Sequence, residues 1–459
     1  MPELPLIEPD VNSGFMISSP DRFTRPRVKD TPGPGGARDR AALVGLVAGK
    51  SRRDAAERSL DELAGLVKAA GGTAVLRSLQ ERARPDAATF AGKGKLEQLS
   101  LACDEQEVSL VVFDHELTPT QLRQADAIIG RRVIDRTQLI LDIFAHRART
   151  REGKWQVELA QLRYLLPRLT GSGVEMSRLG GGIGTRGPGE TKLETDRRRI
   201  RQRIATIAAS IEGVRSRRSR LRDRRHKSDV PTVALVGYTN AGKTTLFNLL
   251  TGGTAEASDA LFVTLDPLVR QVKLPDQRAL LVSDTVGFID RLPHTLVAAF
   301  RATLEEVCEA DLLIHVIDAA APDRDRRIAA VHDVLEEVGG ASVPRIDVLN
   351  KADQLSASEA TRLAGMMDNP VVMSALMGVG REALLERAIA MLALDTRRVT
   401  VRLDVRTEAG RRSVSWLYRH ARVLRHETIA GRAVLDADVP RRGLSLFPDA
   451  VEIKTVSAS

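Results

Sequence analysis

The sequence predicts an α/β multidomain protein, and three observations support this fold class. Strands alternate with a helical stretch in residues 41–150, which predicts an α/β domain, and short apolar strands alternate with helices in 230–396, a pattern typical of a mostly parallel sheet covered by helices. Between these regions, residues 151–229 repeat apolar residues in alternating steps of four and three, which indicates packed helices. The length of 459 residues suits several domains.

Residues 41–150 are predicted to form an N-terminal α/β domain, preceded by a disordered tail at residues 1–40. The tail has no apolar core of the kind found in signal peptides. The predicted elements are strands Ala41–Ala48, Thr73–Leu79, Ser109–Asp114 and Val133–Asp135, and helices Arg52–Ala70 and Thr137–Arg149.

An antiparallel helical hairpin is predicted for residues 151–229 and is expected to project as an arm. One apolar seam consists of Trp155, Leu159, Leu162, Leu166 and Leu169. The second seam consists of Ile200, Ile204, Ile207, Ile211, Val214 and Leu221, interrupted at Arg218. A short connection that turns the chain back would let the two seams cover each other.

The turn of this arm is predicted to run from Thr170 to Asp196 and is rich in glycine. A loop of this length is either functional or disordered. Its formal G-x-G-x-x-G match does not follow a strand, so we discount a dinucleotide site there. The basic side chains Arg178, Arg186 and Lys192 instead suit insertion against phosphates.

The second helix is strongly basic, with twelve arginines and one lysine between Arg197 and Lys227. Like charges at this density repel one another, and a nucleic-acid backbone would relieve the repulsion. The alternative is an ordinary solvated face. The net charge of +9 and the low aromatic content of 3 % also favour backbone contact over base stacking, unless arginine simply replaces lysine in a GC-biased proteome. The RNA-contact candidates on this helix are Arg197, Arg198 and Arg199.

A phosphate cradle is predicted where the strand Val233–Val236 runs into a G-x-x-x-x-G-K-[ST] loop and then a helix. Backbone N–H groups of such a loop and the helix N-terminus surround phosphates. Lys243 is expected to reach the β- and γ-phosphates, and Thr244 to bind Mg²⁺. The nucleotide-binding candidates here are Gly237, Tyr238, Thr239, Asn240, Ala241, Gly242, Lys243, Thr244 and Thr245.

Two further strands end in motifs that complete a guanine-nucleotide site. The first, Leu280–Ser283, leads into Asp284, Thr285, Val286 and Gly287, a D-x-x-G motif that places a carboxylate near the metal and an N–H near the γ-phosphate. The other ends in Asn350, Lys351, Ala352 and Asp353. Asp353 can accept from both the ring and the exocyclic N–H of guanine, a pair that adenine lacks, so we expect GTP rather than ATP. The backbone of Ser374, Ala375 and Leu376 could hold the guanine oxygen.

Thr264 is the candidate switch threonine, which reaches Mg²⁺ only while the γ-phosphate is present. It lies within the candidate segment Phe262, Val263, Thr264, Leu265 and Asp266. The predicted metal ligands are therefore Thr244, Thr264 and Asp284, directly or through water. The predicted catalytic residues are Lys243, Thr264 and Gly287.

Taken together, the chain resembles the HflX family of ribosome-associated GTPases over roughly residues 41–459. The most specific stretches are Phe90–Leu96, Phe113–Pro119, Thr150–Lys154, Glu158–Leu162 and Gly182–Glu194. The resemblance implies binding to the large (50S) ribosomal subunit and its rRNA, separation of stalled or idle ribosomes, and slow intrinsic hydrolysis. It also implies a small C-terminal α+β domain at 397–459, where Val399–Leu403 suits a strand and Val414–Leu424 a helix.

Four residues differ from the simplest expectation for their positions or suggest an additional role. Phe288 stands where many GTPases carry a water-orienting glutamine, which suggests low turnover without ribosomes. Asn240 precedes Lys243 by three residues, as in potassium-activated GTPases, so K⁺ could bind there; otherwise it only caps the turn. Asp347 interrupts an apolar strand, and Trp155 occupies a seam position that an aliphatic side chain would fill more simply.

The sequence is also compatible with two other functions. One is an RNA-remodelling protein that uses the N-terminal domain as an ATP site, and the other is a GTP-gated switch for protein partners without an RNA role.

The two distant cysteines, Cys103 and Cys308, and the absence of long apolar runs predict a cytoplasmic protein. The eight histidines lack metal-ligand spacing, so no metal other than Mg²⁺ and K⁺ is expected.

Overall fold

The computed structural model describes residues 39–48, 53–169, 188–226, 230–255, 261–274, 279–290, 306–392, 394, 396–446 and 451–453. Three β-sheets follow one another along these residues, and a pair of helices lies between the first and second sheets in the chain order. The predicted α/β multidomain fold class is thereby confirmed. Most of the predicted tail (1–38) and of the glycine-rich turn (170–187), including Arg178 and Arg186, lies outside the described residues.

The N-terminal sheet is entirely parallel, with the strand order β2-β1-β3-β4. Sequence analysis did not predict helices α2 and α3. A signal for α3 was present, because Thr118 and Gln121 form a capping box and Pro119 occupies the first turn between them. The elements are β1 (Arg40–Ala48), α1 (Arg53–Ala69), β2 (Thr73–Arg82), α2 (Lys93–Glu105), β3 (Leu110–Phe113), α3 (Pro119–Ile129), β4 (Arg132–Asp135) and α4 (Arg136–Arg147).

The predicted hairpin consists of α5 (Arg151–Arg168) and α6 (Pro188–His226), which pack together. On α6, Ile200 and Ile207 of the predicted seam are buried. On α5, only Leu159 of the seam is buried, whereas a second face, which includes Val157, belongs to the protein core. Trp155 is half-buried, and the Arg151 guanidinium lies 4.8 Å from the centre of its ring.

The predicted end of the glycine-rich turn at Asp196 is wrong. Helix α6 already begins at Pro188 and continues through Lys192 to the basic segment. Proline is compatible with the first turn of a helix, where its missing N–H has no intrahelical partner to lose. The local glycines obscured this start in the sequence.

The central sheet has the order β10-β9-β8-β5-β7-β6, and only β6 runs antiparallel to its neighbour. This agrees with the predicted mostly parallel, doubly wound sheet. Its elements are β5 (Thr232–Val236), α7 (Lys243–Thr251), β6 (Leu268–Lys273), β7 (Ala279–Asp284), β8 (Leu312–Asp318), α8 (Arg324–Val338), β9 (Arg345–Asn350), α9 (Ala357–Ala364), β10 (Val371–Val372) and α10 (Arg381–Met391).

Asp347, the polar interruption of β9, has a partner on the neighbouring strand. The two strands pair in parallel with His315 opposite Asp347, and the His315 Nδ1 to Asp347 Oδ1 distance is 2.9 Å. Burial lowers the pKa of His315, so the ring is neutral at pH 7 and donates this hydrogen bond. The carboxylate therefore satisfies a buried histidine and does not disrupt the strand.

The C-terminal unit is an antiparallel sheet of order β12-β13-β11-β14 with one helix packed on it. The helix predicted for Val414–Leu424 is displaced: it spans Glu408–His420, and Leu424 lies in β12. The Thr407 hydroxyl caps the helix start, a local signal that outweighs apolar spacing. The elements are β11 (Thr396–Asp404), α11 (Glu408–His420), β12 (Arg422–Ile429), β13 (Arg432–Pro440) and β14 (Val451–Ile453).

One apolar core connects the first three units. It contains Leu63 from α1, Phe144 from α4 and Val157 from α5 together with Phe262 and Phe288 of the nucleotide-binding region. Burial at this interface contributes roughly 25 cal/mol per Å² of apolar surface. The nucleotide-binding region is therefore packed against the N-terminal domain and α5.

A buried charge network crosses the same interface. Arg136, at the start of α4, pairs with Asp114 at 2.9 Å and with Glu62, and it is 2 % exposed. Glu62 in turn accepts a hydrogen bond from the Tyr238 hydroxyl. The Arg136 guanidinium also donates to the Asp290 carbonyl at 3.3 Å.

We predict that Arg136→Met lowers the free energy of unfolding by about 3–5 kcal/mol, because Asp114 and Glu62 would keep buried, uncompensated charge. Urea denaturation together with hydrogen exchange of the β1 and β3 amides measures this loss. The control is Arg77→Met, which removes the exposed Arg77–Asp61 pair and should cost less than about 1 kcal/mol. Equal, small losses in both variants would contradict the prediction.

Candidate nucleotide-binding site

The loop between β5 and α7 requires glycine at two positions. Gly237 has φ 151°, and a Cβ there would lie 2.3 Å from the Val316 carbonyl oxygen. Gly242 has φ 95°, and a Cβ there would lie 2.2 Å from the Asn350 amide nitrogen. The chain can therefore close into a phosphate cradle at the N-terminus of α7 only with glycine at these positions.

Lys243 is buried within the loop. Its Nζ donates to the carbonyl oxygens of Gly237 at 3.0 Å and Tyr238 at 2.8 Å. Burial lowers the pKa of Lys243 to about 8, although the Asp284 carboxylate partly opposes this shift. Anionic phosphates would stabilise the ammonium form and offset its desolvation.

The three predicted metal ligands converge at one point. Asp284 Oδ2 accepts from the Thr244 hydroxyl at 2.8 Å and from the Thr264 hydroxyl at 2.9 Å, and the two hydroxyl oxygens are 2.9 Å apart. The other carboxylate oxygen, Oδ1, is buried and has no hydrogen-bond partner among the described residues. Burial raises the pKa of Asp284. A hard cation with oxygen ligands, such as Mg²⁺, fits this donor set.

The segment after β9 links the phosphate loop to the predicted base-binding loop around Ser374 and Ala375. The Asn350 side chain donates to the Ala241 carbonyl at 2.8 Å and accepts from the Ala375 N–H at 2.9 Å. Asp353 Oδ1 accepts from the Ser374 hydroxyl at 2.5 Å. Lys351 adopts a left-handed conformation, with φ 62°, and its ammonium pairs with Asp318 at 2.8 Å. Asn350 therefore braces two loops, while Asp353 lines the cleft.

An open cleft of about 380 Å³ runs between these loops. Among the predicted binding residues, those lining it are Thr239, Asn240, Gly242, Lys243, Thr244, Thr245, Phe262, Val263, Thr264, Thr285, Gly287, Asn350, Lys351, Asp353, Ala375 and Leu376. The predicted residues outside this lining are Gly237, Tyr238, Ala241, Leu265, Asp266, Asp284, Val286, Ala352 and Ser374. Gln354 also lines the cleft and was not predicted. It directly follows the Asn350–Asp353 motif, which was its only signal.

Several predicted residues that do not line the cleft contact neighbouring parts of the protein. The Tyr238 hydroxyl donates to Glu62 of the N-terminal domain and accepts from the Asp290 N–H at 2.8 Å. Leu265 is buried in the shared core. Asp266 contacts the start of α5. Sequence analysis missed Glu62 because no motif reports a contact between residues so far apart in the chain.

Phe288 packs away from the cleft. Its side chain is 1 % exposed and lies in the shared core. Its N–H donates to the Gly237 carbonyl at 3.1 Å, and its carbonyl accepts from the Thr239 N–H at 2.7 Å. Residue 288 therefore holds the phosphate loop in place and cannot orient a water molecule with its side chain.

The basic candidates lie on α6. Arg198 and Arg199 are exposed and Arg197 is half-buried, while Arg199 approaches Asp196 at 3.8 Å. Lys192 lies in the first part of the same helix. Within the described residues, no helix is long and apolar enough to cross a membrane. The same residues contain no group of three or more His, Cys, Asp or Glu side chains placed to hold a metal ion.

Comparison with known proteins identifies the family. Three family models match in succession: "GTP-binding GTPase N-terminal" at 57–145, "GTP-binding GTPase Middle Region" at 147–225 and "50S ribosome-binding GTPase" at 232–351. GTPase HflX of Caldanaerobacter subterraneus subsp. tengcongensis is 48 % identical over 349 residues, which cover 76 % of this chain and 79 % of that protein. GTPase HflX of Escherichia coli K12 is 47 % identical over 346 residues, covering 75 % and 81 %.

The chain belongs to the HflX family of GTPases. It is a P-loop GTP hydrolase, and the predicted resemblance is confirmed. A GTP-binding protein from Sulfolobus solfataricus, solved in complex with GDP, matches 77 % of this chain and 98 % of that chain with 25 % identity and a TM-score of 0.41.

We predict that this HflX-family protein loses affinity for GTP as the pH rises past about 8. With a lowered pKa, free Lys243 deprotonates near that pH, so phosphate binding must then take up a proton. The affinity should fall by up to about tenfold per pH unit above the pKa. Calorimetry between pH 7 and 8.5, in two buffers that differ in ionisation enthalpy, measures both the affinity and the proton uptake.

Lys243→Arg is the matched control, because its guanidinium stays protonated across this range. Its affinity, although weaker, should not change with pH. Wild-type binding without proton uptake at pH 8.5 would rule out the role given to Lys243.

Proposed function

We propose that the chain binds the large (50S) ribosomal subunit and its rRNA, hydrolyses GTP to GDP and phosphate there, and splits stalled or idle ribosomes or acts in subunit recycling. The observation that carries this proposal is the arginine-rich helix α6. Its arginines 198, 199, 201 and 217 are exposed. The name of the family model matched at 232–351, "50S ribosome-binding GTPase", supports the same partner.

We assign RNA contact to the arm. Exposed arginines on α6 would neutralise phosphates and release counterions, a favourable term that needs no base reading. We propose that Arg178 and Arg186 of the glycine-rich turn contact rRNA together with Lys192 and the neighbouring Arg197–Arg199 of α6. In this proposal the chain has four units after the tail, at residues 41–150, 151–229, 230–396 and 397–459.

The nucleotide-site roles follow the geometry. Lys243 would bind the β- and γ-phosphates, and Thr244, Thr264 and Asp284 would hold Mg²⁺, directly or through water. When bound, Mg²⁺ neutralises charge that develops on the phosphate oxygens. The Gly287 N–H would donate to the γ-phosphate, and Gly287 lacks space for a side chain because a Cβ would lie 2.9 Å from Thr239 Cα.

The hydrolytic water would lack a glutamine partner at residue 288, where Phe288 is buried. We therefore expect slow turnover by the protein alone, with the backbone of the Thr264 loop or a ribosomal element positioning the water. Asn240 lines the cleft and has φ 59°. Its amide oxygen would suit K⁺ as an additional charge beside the phosphates, and a comparison of hydrolysis rates in K⁺ and Na⁺ tests this role.

The two alternative functions receive less support. The N-terminal carboxylates that end strands have internal partners: Asp114 pairs with Arg136, and Asp135 accepts from the Gln138 N–H at 2.9 Å. This occupation favours a structural role for that sheet edge over an ATP site. A protein-partner switch without RNA contact would relieve the repulsion among the arginines of α6 only through the few acidic partners of that helix, such as Glu158 for Arg203 and Asp196 for Arg199.

We predict that large subunits raise the hydrolysis rate by at least tenfold in potassium buffer, with Lys243→Ala as the blank. Arg198→Glu with Arg217→Glu should abolish most of this rise and weaken subunit binding, since both are exposed α6 arginines. The matched control is Arg58→Glu with Arg123→Glu, which changes the net charge equally on the N-terminal domain. Stimulation that survives in the α6 variant, or its absence in the wild type, would favour the protein-partner switch.

We predict that Asp353→Asn exchanges guanine for xanthine specificity. An asparagine amide would face the guanine N–H donors with a donor of its own, leaving buried polar groups unpaired, a loss of about 1–3 kcal/mol or roughly 5- to 150-fold in affinity. Nucleotide competition assays with GTP and XTP measure this exchange. Ser374→Ala, which removes only the hydroxyl that contacts Asp353, should keep the preference for GTP.

A further inference from the structure

The switch segment, residues 261–266 around Thr264, is anchored outside the nucleotide-binding region as well as inside it. Two residues after Thr264, the Asp266 carboxylate accepts from the N–H of Arg149 at 3.0 Å and of Thr150 at 2.9 Å. It also accepts from the Thr150 hydroxyl. These donors directly precede α5, so a single carboxylate ties the switch segment to the start of the arm.

Thr150 is itself the N-cap of α5. Its hydroxyl oxygen accepts from the Gly153 N–H at 3.0 Å. A Cβ on Gly153 would lie 2.3 Å from Asp266 Oδ1, so the carboxylate fits against the helix only because residue 153 has no side chain. An acidic group is also favoured near a helix N-terminus. The contact is therefore specific in shape and in charge.

The other end of the segment is held by the N-terminal domain. The Phe262 ring packs edge-on against Phe144 of α4, with centroids 4.6 Å apart and an interplanar angle of 73°. Leu261 contacts Gly65 of α1: a Cβ built on Gly65 would lie 3.2 Å from the Leu261 side chain. Thr264 thus lies between two anchors that both belong to other units of the chain.

We propose that Asp266 is a positioning residue for triphosphate recognition, and that the start of α5 is part of the device that distinguishes GTP from GDP. Two residues of chain span at most about 7 Å, so the Cα of Thr264 stays within that distance of the Cα of Asp266 while Asp266 holds Thr150. A larger withdrawal of Thr264 after loss of the γ-phosphate must either break the Asp266 contacts or displace α5. The coupling is reciprocal. If GTP changes the affinity of a ligand that fixes the arm, that ligand changes the affinity for GTP by the same factor.

This inference rests on the proposed role of Thr264 at the metal but not on ribosome binding. Its test therefore uses the full-length protein without ribosomes. Dissociation constants for GDP and for a non-hydrolysable GTP analogue are measured in wild type, Asp266→Asn, Thr150→Ala and the double variant. Steady-state kinetics provides KM and kcat.

Asp266→Asn should weaken binding of the GTP analogue by about 5- to 20-fold, within the range usual for coupled sites. GDP binding should stay within about twofold of wild type, because Thr264 contacts the metal only in the triphosphate state. The double variant should lose no more than the worse single variant, since both remove one contact. KM should rise more than kcat falls.

Controls separate this positioning role from a loss of folding. Thr150→Ser keeps the hydroxyl and should restore analogue binding. Thr118→Ala removes an N-cap of the same kind from α3, where the Thr118 hydroxyl bonds to Gln121, and should change neither affinity. Equal losses for both nucleotides, or none for the analogue, would overturn the proposal. If Thr264→Ala leaves the GTP-to-GDP ratio unchanged, the metal role of Thr264 fails instead.

Discussion

The convergence of two threonine hydroxyls on the buried carboxylate of Asp284 is the interaction on which the nucleotide site depends. It joins three separate parts of the chain: the end of β7, the first turn of α7 and the switch segment. A buried carboxylate is costly unless its oxygens are satisfied. Asp284 is therefore a strong constraint on where the two threonines can lie, and its charge also favours the ammonium form of Lys243.

The nucleotide site is not an independent module in this protein. Tyr238 on the phosphate loop is held by Glu62, which also pairs with Arg136, while the switch segment reaches α5 through Asp266. The same interface is filled by apolar residues such as Phe144 and Phe288. The phosphate loop and the switch segment are thus packed against the N-terminal domain and the start of the arm. Movement of the switch segment therefore has a direct physical route to the arm.

Much of the fold was readable from local patterns. Alternation of strands and helices predicted an α/β domain at 41–150 and the mostly parallel central sheet, and the predicted apolar seam of α6 includes the buried Ile200 and Ile207. Errors occurred where a cap decided the boundary: Pro188 starts α6 inside a glycine-rich stretch, and Thr407 starts α11 ahead of the apolar spacing. The second buried face of α5 was also missed, because periodicity reports that a face is apolar but not how many neighbours the helix has.

The sequence by itself determined the family and predicted the nucleotide site, since phosphate loops and base-recognition loops need particular residues at short, conformationally defined spacings such as Gly237 to Lys243. Only the tertiary structure decided what surrounds that site. The pairing of His315 with Asp347, the burial of Phe288 and the contact of Asp266 with Thr150 join residues that are distant in the chain or depend on side-chain packing. No local spacing encodes such contacts, because they arise when separate elements share one core.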